Sequence, residues 1–258
     1  MSRIEEAFKN GKAFISFITG GDPDLETSKE LIIAMEEAGS DLIEIGVPFS
    51  DPIAEGIVIQ DANIRALNAG CTTDKLFDMV KEVRKTVEVP LVFLTYLNPI
   101  YTYGKERFMD RCKKSGIDGI IVPDLPFEEK DELDSVCKEY GVDLISLIAP
   151  TSNERITKIA KEASGFIYCV SSLGVTGVRS NITTDIGAMT KLVREATDIP
   201  CAVGFGIAKP EQAANVCKYA DGAIVGSAIV KIVAQYGKDS IPYVKEYVHS
   251  MKSALKDL

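Results

Sequence analysis

Eight short runs of apolar, mostly β-branched residues recur along the 258-residue chain, each separated from the next by room for a helix. Read as strands, they cover residues 13–19, 41–47, 91–96, 119–123, 144–148, 166–170, 201–204 and 222–225, with starts 28, 50, 28, 25, 22, 35 and 21 residues apart. Two parallel strands need a crossover of about a dozen residues or more between them, usually a helix. Eight βα units of this size predict a closed parallel sheet wrapped by helices, an α/β (β/α)8 TIM barrel. Amphipathic segments at 25–38, 105–115, 128–140 and 185–196 supply helices, and Gly39, Gly116 and Gly141 mark where three helices stop. No linker or low-complexity tract interrupts the pattern, so one barrel domain is expected over residues 1–258, with extra helical segments in the longest intervals. An open doubly wound sheet would carry its Gly-rich turn after the first strand. Here Gly-rich turns follow the last three strands.

Composition narrows the function. The net charge of −9 opposes binding to nucleic acid. It also means that an anionic substrate must be held by backbone N–H groups and helix ends. No apolar run reaches the roughly 18 residues of a membrane span, and the start MSRIEEAFKN has no signal-peptide core. Six dispersed cysteines without a Cys-x-x-Cys pair point to buried thiols in a reducing cytoplasm. With one histidine, His249, in a C-terminal helical stretch, no transition-metal site is expected.

The active site of such a barrel is built by the loops at the C-terminal strand ends. The longest intervals single out residues 47–61 and 171–185. After strands 6, 7 and 8 come Gly174-Val175-Thr176-Gly177, Gly204-Phe205-Gly206-Ile207 and Gly226-Ser227-Ala228. Each alone is an ordinary turn; three on adjacent strands form a phosphate cradle, with Ser227 opening a helix as donor or N-cap. In strand 2, Leu42, Glu44 and Gly46 alternate with Ile43, Ile45 and Val47. The aliphatic face belongs against the outer helices, so Glu44 points inward. Burial there raises a carboxyl pKa into a catalytic range unless the side chain is merely ion-paired. Asp51, Glu55 and Asp124 bring further carboxyls to the same end, where a turn, a solvated side chain or a positioning contact would also explain them. No lysine lies in a strand, which argues against Schiff-base cleavage. Carboxylate acid/base chemistry on a phosphorylated substrate remains.

Glu44-Ile45-Gly46-Val47-Pro48-Phe49-Ser50-Asp51-Pro52 closely resembles the strand 2 signature of tryptophan synthase α subunits. Phe17-Ile18-Thr19-Gly20-Gly21-Asp22-Pro23, Tyr96-Leu97-Asn98-Pro99, Val122-Pro123-Asp124-Leu125-Pro126 and the three Gly turns continue the resemblance in the family's order. It implies a lyase of tryptophan biosynthesis that reversibly cleaves indole-3-glycerol phosphate to indole and glyceraldehyde 3-phosphate. By position, Glu44 and Glu55 would be the catalytic pair. Phe17, Asp124, Tyr168, Thr176 and Phe205 would contact substrate, with Thr176 on a loop that closes over the site. Gly177, Gly206, Gly226 and Ser227 would hold phosphate. Pro48, Phe49, Asp51 and Asn98 would face a β subunit in an α2β2 heterotetramer with allosteric communication. Pyridoxal phosphate is expected only in that partner, and no cofactor here.

One position departs from the family. The α subunits normally carry Asp where this chain has Glu55, one methylene longer, and a displacement of about 1 Å can cost on the order of 100-fold in rate. Either the loop has adjusted or cleavage is weak. The readings that compete with an active lyase subunit are a regulatory barrel that keeps the cradle and activates its partner, a stand-alone indole-glycerol-phosphate lyase, and another phosphosugar-handling barrel such as an isomerase.

Overall fold

The structure is a computed structural model that describes residues 2–170, 185–204, 206–256 and 258. In chain order it runs α1 (Arg3–Ala7), β1 (Ala13–Thr19), α2 (Leu25–Glu37), β2 (Leu42–Gly46), α3 (Ile57–Asn68), α4 (Thr73–Val83), β3 (Leu91–Leu94), α5 (Leu97–Tyr103) and α6 (Lys105–Ser115). It continues through β4 (Gly119–Ile121), α7 (Asp131–Tyr140), β5 (Asp143–Ile148), α8 (Asn153–Lys161), β6 (Ile167–Val170), α9 (Ile186–Ala196), β7 (Cys201–Gly204), α10 (Pro210–Cys217), β8 (Gly222–Val225), α11 (Ser227–Tyr236) and α12 (Ile241–Ser253). The strands pair in parallel and in sequence order, and β8 closes onto β1 to complete the barrel.

All eight strands expected from the sequence are present, some shorter. β3 stops at Leu94 and β4 at Ile121. Tyr96 already serves as the N-cap of α5, and Pro123 has no N–H to add to a ladder. The helix expected over residues 128–140 is a 3₁₀ turn, Phe127–Glu129, followed by α7. The long interval after β2 holds two helices, α3 and α4, and the one after β3 also holds two. The glycines read as helix stops act so: Gly116 and Gly141 are left-handed C-caps, and Gly39 follows α2 with φ +103°.

Strand alternation sorts side chains into two cores. Ile43, Ile45 and Val47 pack outward against helices in a continuous aliphatic shell. Ile15, Leu42, Val92, Ile121, Ile145, Ala202 and Ile224 fill the barrel interior. Ile4 of α1 is fully buried in that inner cluster and plugs its N-terminal end, held by a capping box between Ser2 and Glu5. At the same end, acids just ahead of strands grip the preceding strand: Asp41 accepts Phe14 N–H at 2.6 Å, Asp118 accepts Leu91 N–H at 2.9 Å, and Asp221 accepts Cys201 N–H at 3.0 Å. The opposite mouth is roofed by α3, where Ile59 and Ala62 pack with Phe17 of β1 and Val230 of α11.

Candidate active site

One cavity opens at the C-terminal mouth, enclosing about 750 Å³ with its open side included, a size suited to a small-molecule ligand. Its wall contains Phe17, Glu44, Glu55, Tyr168, Gly206, Gly226 and Ser227. The strands bring these side chains together by register. Phe17 lies directly opposite Glu44 across β1 and β2, and Tyr168 opposite Ala202 across β6 and β7. No Lys, Arg or His is among the described residues of the wall.

The two glutamates are both buried and differ in their hydrogen-bond partners. Glu44 is 1% exposed, and its Oε1 has no hydrogen-bond partner among the described residues. Desolvation alone pushes its carboxyl from 4.5 up to about 8, so at neutral pH it carries a proton. Glu55 is also buried, and desolvation raises its pKa, but two donors work against that rise. Asn63 Nδ2 donates to Glu55 Oε2 at 2.7 Å, and the Tyr96 hydroxyl also donates to the carboxylate. Tyr96 is itself fixed, accepting Ala54 N–H at 3.2 Å and packing against Phe49 at 5.6 Å between centroids. Burial thus raises both carboxyls, unopposed at Glu44 and opposed by two donors at Glu55, a difference of environment that can separate the tasks of two acids in one site.

Gly206, Gly226 and Ser227 line the same cavity as these carboxyls. Gly226 caps the N-terminus of the ten-residue α11, and Ser227 is its first residue. Gly206, at φ +84°, adopts a backbone that L side chains rarely adopt. Gly204 has a different reason to be glycine: a Cβ there would lie 2.4 Å from the Tyr168 hydroxyl. Backbone N–H groups at a helix start suit a phosphate without a side-chain cation.

Asp124 stands outside the cavity wall, and its carboxylate accepts Leu97 N–H at 3.0 and 3.2 Å, pinning the start of α5. Pro48 and Phe49 are half-buried on the β2 loop; Asp51 and Asn98 are exposed at the same end. Thr176, Gly177 and Phe205 lie outside the described residues. Sequence reasoning missed Asn63 and Tyr96. The signal for Asn63 was available: Ile59, Ala62, Asn63 and Ala66 form the buried stripe of α3, and a polar residue on such a stripe needs a partner. Ile59, Leu94, Leu147, Ile207 and Ile224 complete the apolar wall.

Among the described residues no group of three or more His, Cys, Asp or Glu is placed to hold a metal ion, and no helix is long and apolar enough to cross a membrane. The model of the family described as tryptophan synthase alpha chain matches residues 4–257. The tryptophan synthase alpha chain of Lacticaseibacillus casei is 45% identical over 255 residues, 99% of this chain and 96% of that one. The crystal structure of tryptophan synthase subunit alpha from Legionella pneumophila superposes with a TM-score of 0.90 at 36% identity, covering both chains completely. A chain of the tryptophan synthase complex from Pyrococcus furiosus superposes at 0.86 with 35% identity, covering 95% of this chain and 99% of that one. By its sequence along almost its whole length, and by its fold, the chain belongs to the tryptophan synthase alpha chain family.

Proposed function

We propose that this protein is the lyase subunit of a tryptophan synthase, cleaving indole-3-glycerol phosphate to indole and glyceraldehyde 3-phosphate. The observation that carries the reading is the placement of a buried Glu44, whose Oε1 has no partner among the described residues, with a hydrogen-bonded Glu55 in one cavity that reaches a helix N-terminus.

The chemistry follows from those states. Glu44 starts protonated and donates its proton to indole C3. Positive charge then spreads to the ring nitrogen, where the Glu55 carboxylate accepts the N–H hydrogen bond and stabilises it. Glu44, now an anion in a desolvated site, is a strong base and removes the proton from the hydroxyl beside the ring. The C–C bond breaks, its electrons return to the indole, and the aldehyde leaves on the glycerol phosphate fragment. The net change moves one proton from that hydroxyl to C3, and Glu44 ends as it began, protonated.

Phe17 and Tyr168 supply the apolar walls for the indole, with Thr176 and Phe205 as further substrate contacts. Gly206, Gly226 and Ser227, with Gly177, bind the phosphate through backbone N–H groups. Asp124 acts by holding α5. The longer Glu55 fits because Asn63 and Tyr96 receive its carboxylate at the cavity wall, which favours the adjusted-loop reading over weak cleavage. The reaction needs no cofactor in this chain, and pyridoxal phosphate belongs to the partner. That partner is a tryptophan synthase β subunit, docked through Pro48, Phe49, Asp51 and Asn98. Six free, buried cysteines suit a reducing compartment, the cytoplasm.

The test is release of indole from indole-3-glycerol phosphate by the purified protein, with and without a β subunit. Turnover in wild type that is lost in Glu44→Gln supports the reading. Equal turnover in both removes Glu44 from the mechanism, and no turnover under either condition removes the lyase assignment.

A further inference from the structure

The first two turns of α3 hold residue 55 at both ends. Gln60 Nε2 donates to the Glu55 backbone oxygen at 2.7 Å, and Asn63 Nδ2 donates to Glu55 Oε2 at the same distance. Asn63 is 3% exposed on the otherwise apolar inner stripe of the helix. An ionised carboxylate only accepts hydrogen bonds, so the Asn63 amide must turn its nitrogen toward it. An asparagine at this depth without that bond would be a net cost to the fold.

We propose that Asn63 is a positioning residue for the lyase reaction, holding the Glu55 carboxylate at the cavity wall and setting the reach that a glutamate, but not an aspartate, needs at position 55. The proposal rests on the lyase reading for its kinetic consequences, whereas the contact itself does not. An aspartate at 55 would draw the carboxylate back by one methylene and leave Asn63 without its acceptor. The Asn63 bond also opposes the upward pull of burial on Glu55. The titratable groups around Glu55 are Tyr96, which donates to it, Glu44 across the cavity, and Asp124 beyond Tyr96. No Lys, Arg or His faces it among the described residues of the wall, so neutral donors alone favour its charge.

Two measurements on the full chain test this. The first is a double-mutant cycle in indole release. A lost hydrogen bond to a charged group corresponds to roughly 10–100-fold, so Asn63→Ala is expected to lower kcat by about that factor with little change in KM. In the Glu55→Asp background the same change is expected to cost less than about threefold, because the shorter carboxylate no longer meets Asn63. Equal losses in both backgrounds would assign Asn63 a purely structural role and overturn the proposal.

The second needs no turnover: carbon-13 NMR titration of the Glu55 carboxyl. Its midpoint is expected to rise in Asn63→Ala and to rise further in the isosteric Asn63→Asp, which keeps the shape of the side chain and also serves if the alanine variant fails to fold. An unmoved midpoint overturns the proposal. If wild type releases no indole, the lyase reading fails, and the titration still decides whether Asn63 governs Glu55.

Discussion

At the scale of single residues, Glu44 makes two separable predictions. As the acid, it must hold its proton in the free enzyme, so kcat/KM is expected to fall as pH rises through about 8, the value to which burial lifts it. Glu44→Gln is expected to lower kcat by on the order of 100- to 10,000-fold, the usual range for a general acid/base. The same residue also bears on stability. Between its ordinary 4.5 and about 8 the folded state binds the Glu44 proton more tightly than the unfolded state does. Stability contributed by this group is therefore complete below about pH 4.5 and lost as pH rises toward 8. Thermal melts at pH 5 and pH 9 should show wild type losing more stability over that span than Glu44→Gln. A larger loss in the variant would mean that Glu44 is not buried as a proton carrier. On the proposed mechanism, the acid is retained at a cost to the fold.

Between elements, two contacts carry most of the argument. Gly204 ends β7 beneath the Tyr168 ring of β6, and any Cβ must displace that ring. Gly204→Ala is expected to destabilise by about 1–3 kcal/mol, as overpacking does, and to raise KM, because Tyr168 forms a wall of the cavity. A variant with unchanged KM would show that Tyr168 does not touch substrate. At the other end of the barrel, Asp118 accepts from Arg84 Nη2 and Leu91 N–H, with both charged side chains 12% exposed, and Arg3 adds a third bond at 3.0 Å. Asp118→Ala leaves Arg84 in place without its carboxylate. The expected loss is about 3 kcal/mol, read by urea denaturation, with kcat of the folded enzyme unchanged. Conservation of activity belongs with that face, since the N-terminal end of the strands serves stability and the C-terminal end serves chemistry.

For the molecule as a whole, the β2 loop and the start of α5 present Phe49, Asp51 and Asn98 beside the cavity mouth, and Tyr96 links this surface to Glu55. If the proposed β-subunit docking holds, Phe49→Ala is expected to weaken β-subunit binding and also to reduce any change in indole release on adding the β subunit, measured by titrating one subunit with the other. Loss of binding with an unaltered maximal rate gain would separate docking from communication. How much of this was legible in advance depended on the range of the interaction. The strand repeat, the helix-stopping glycines and the inward face of Glu44 were readable because period-two alternation and local backbone preference act within a few residues. The glycines after β7 and β8 were legible as turns for the same reason: Gly206 takes a positive φ and Gly226 caps α11. By contrast, the partners of Glu55 are Asn63, whose place on the buried stripe of α3 shows only that it needs some partner, and Tyr96, on a different strand end; neither pairing itself is written in the local pattern. Asp124 was legible as a carboxyl at this end with a positioning contact among its readings, but its partner, the Leu97 N–H at the start of α5, was not. The sequence by itself determined which residues face inward and where the chain turns. Closure of the barrel alone decided which polar groups meet, and so which of two buried glutamates has donors to oppose the pull of burial, because desolvation and hydrogen bonding depend on the packed neighbours and not on local sequence.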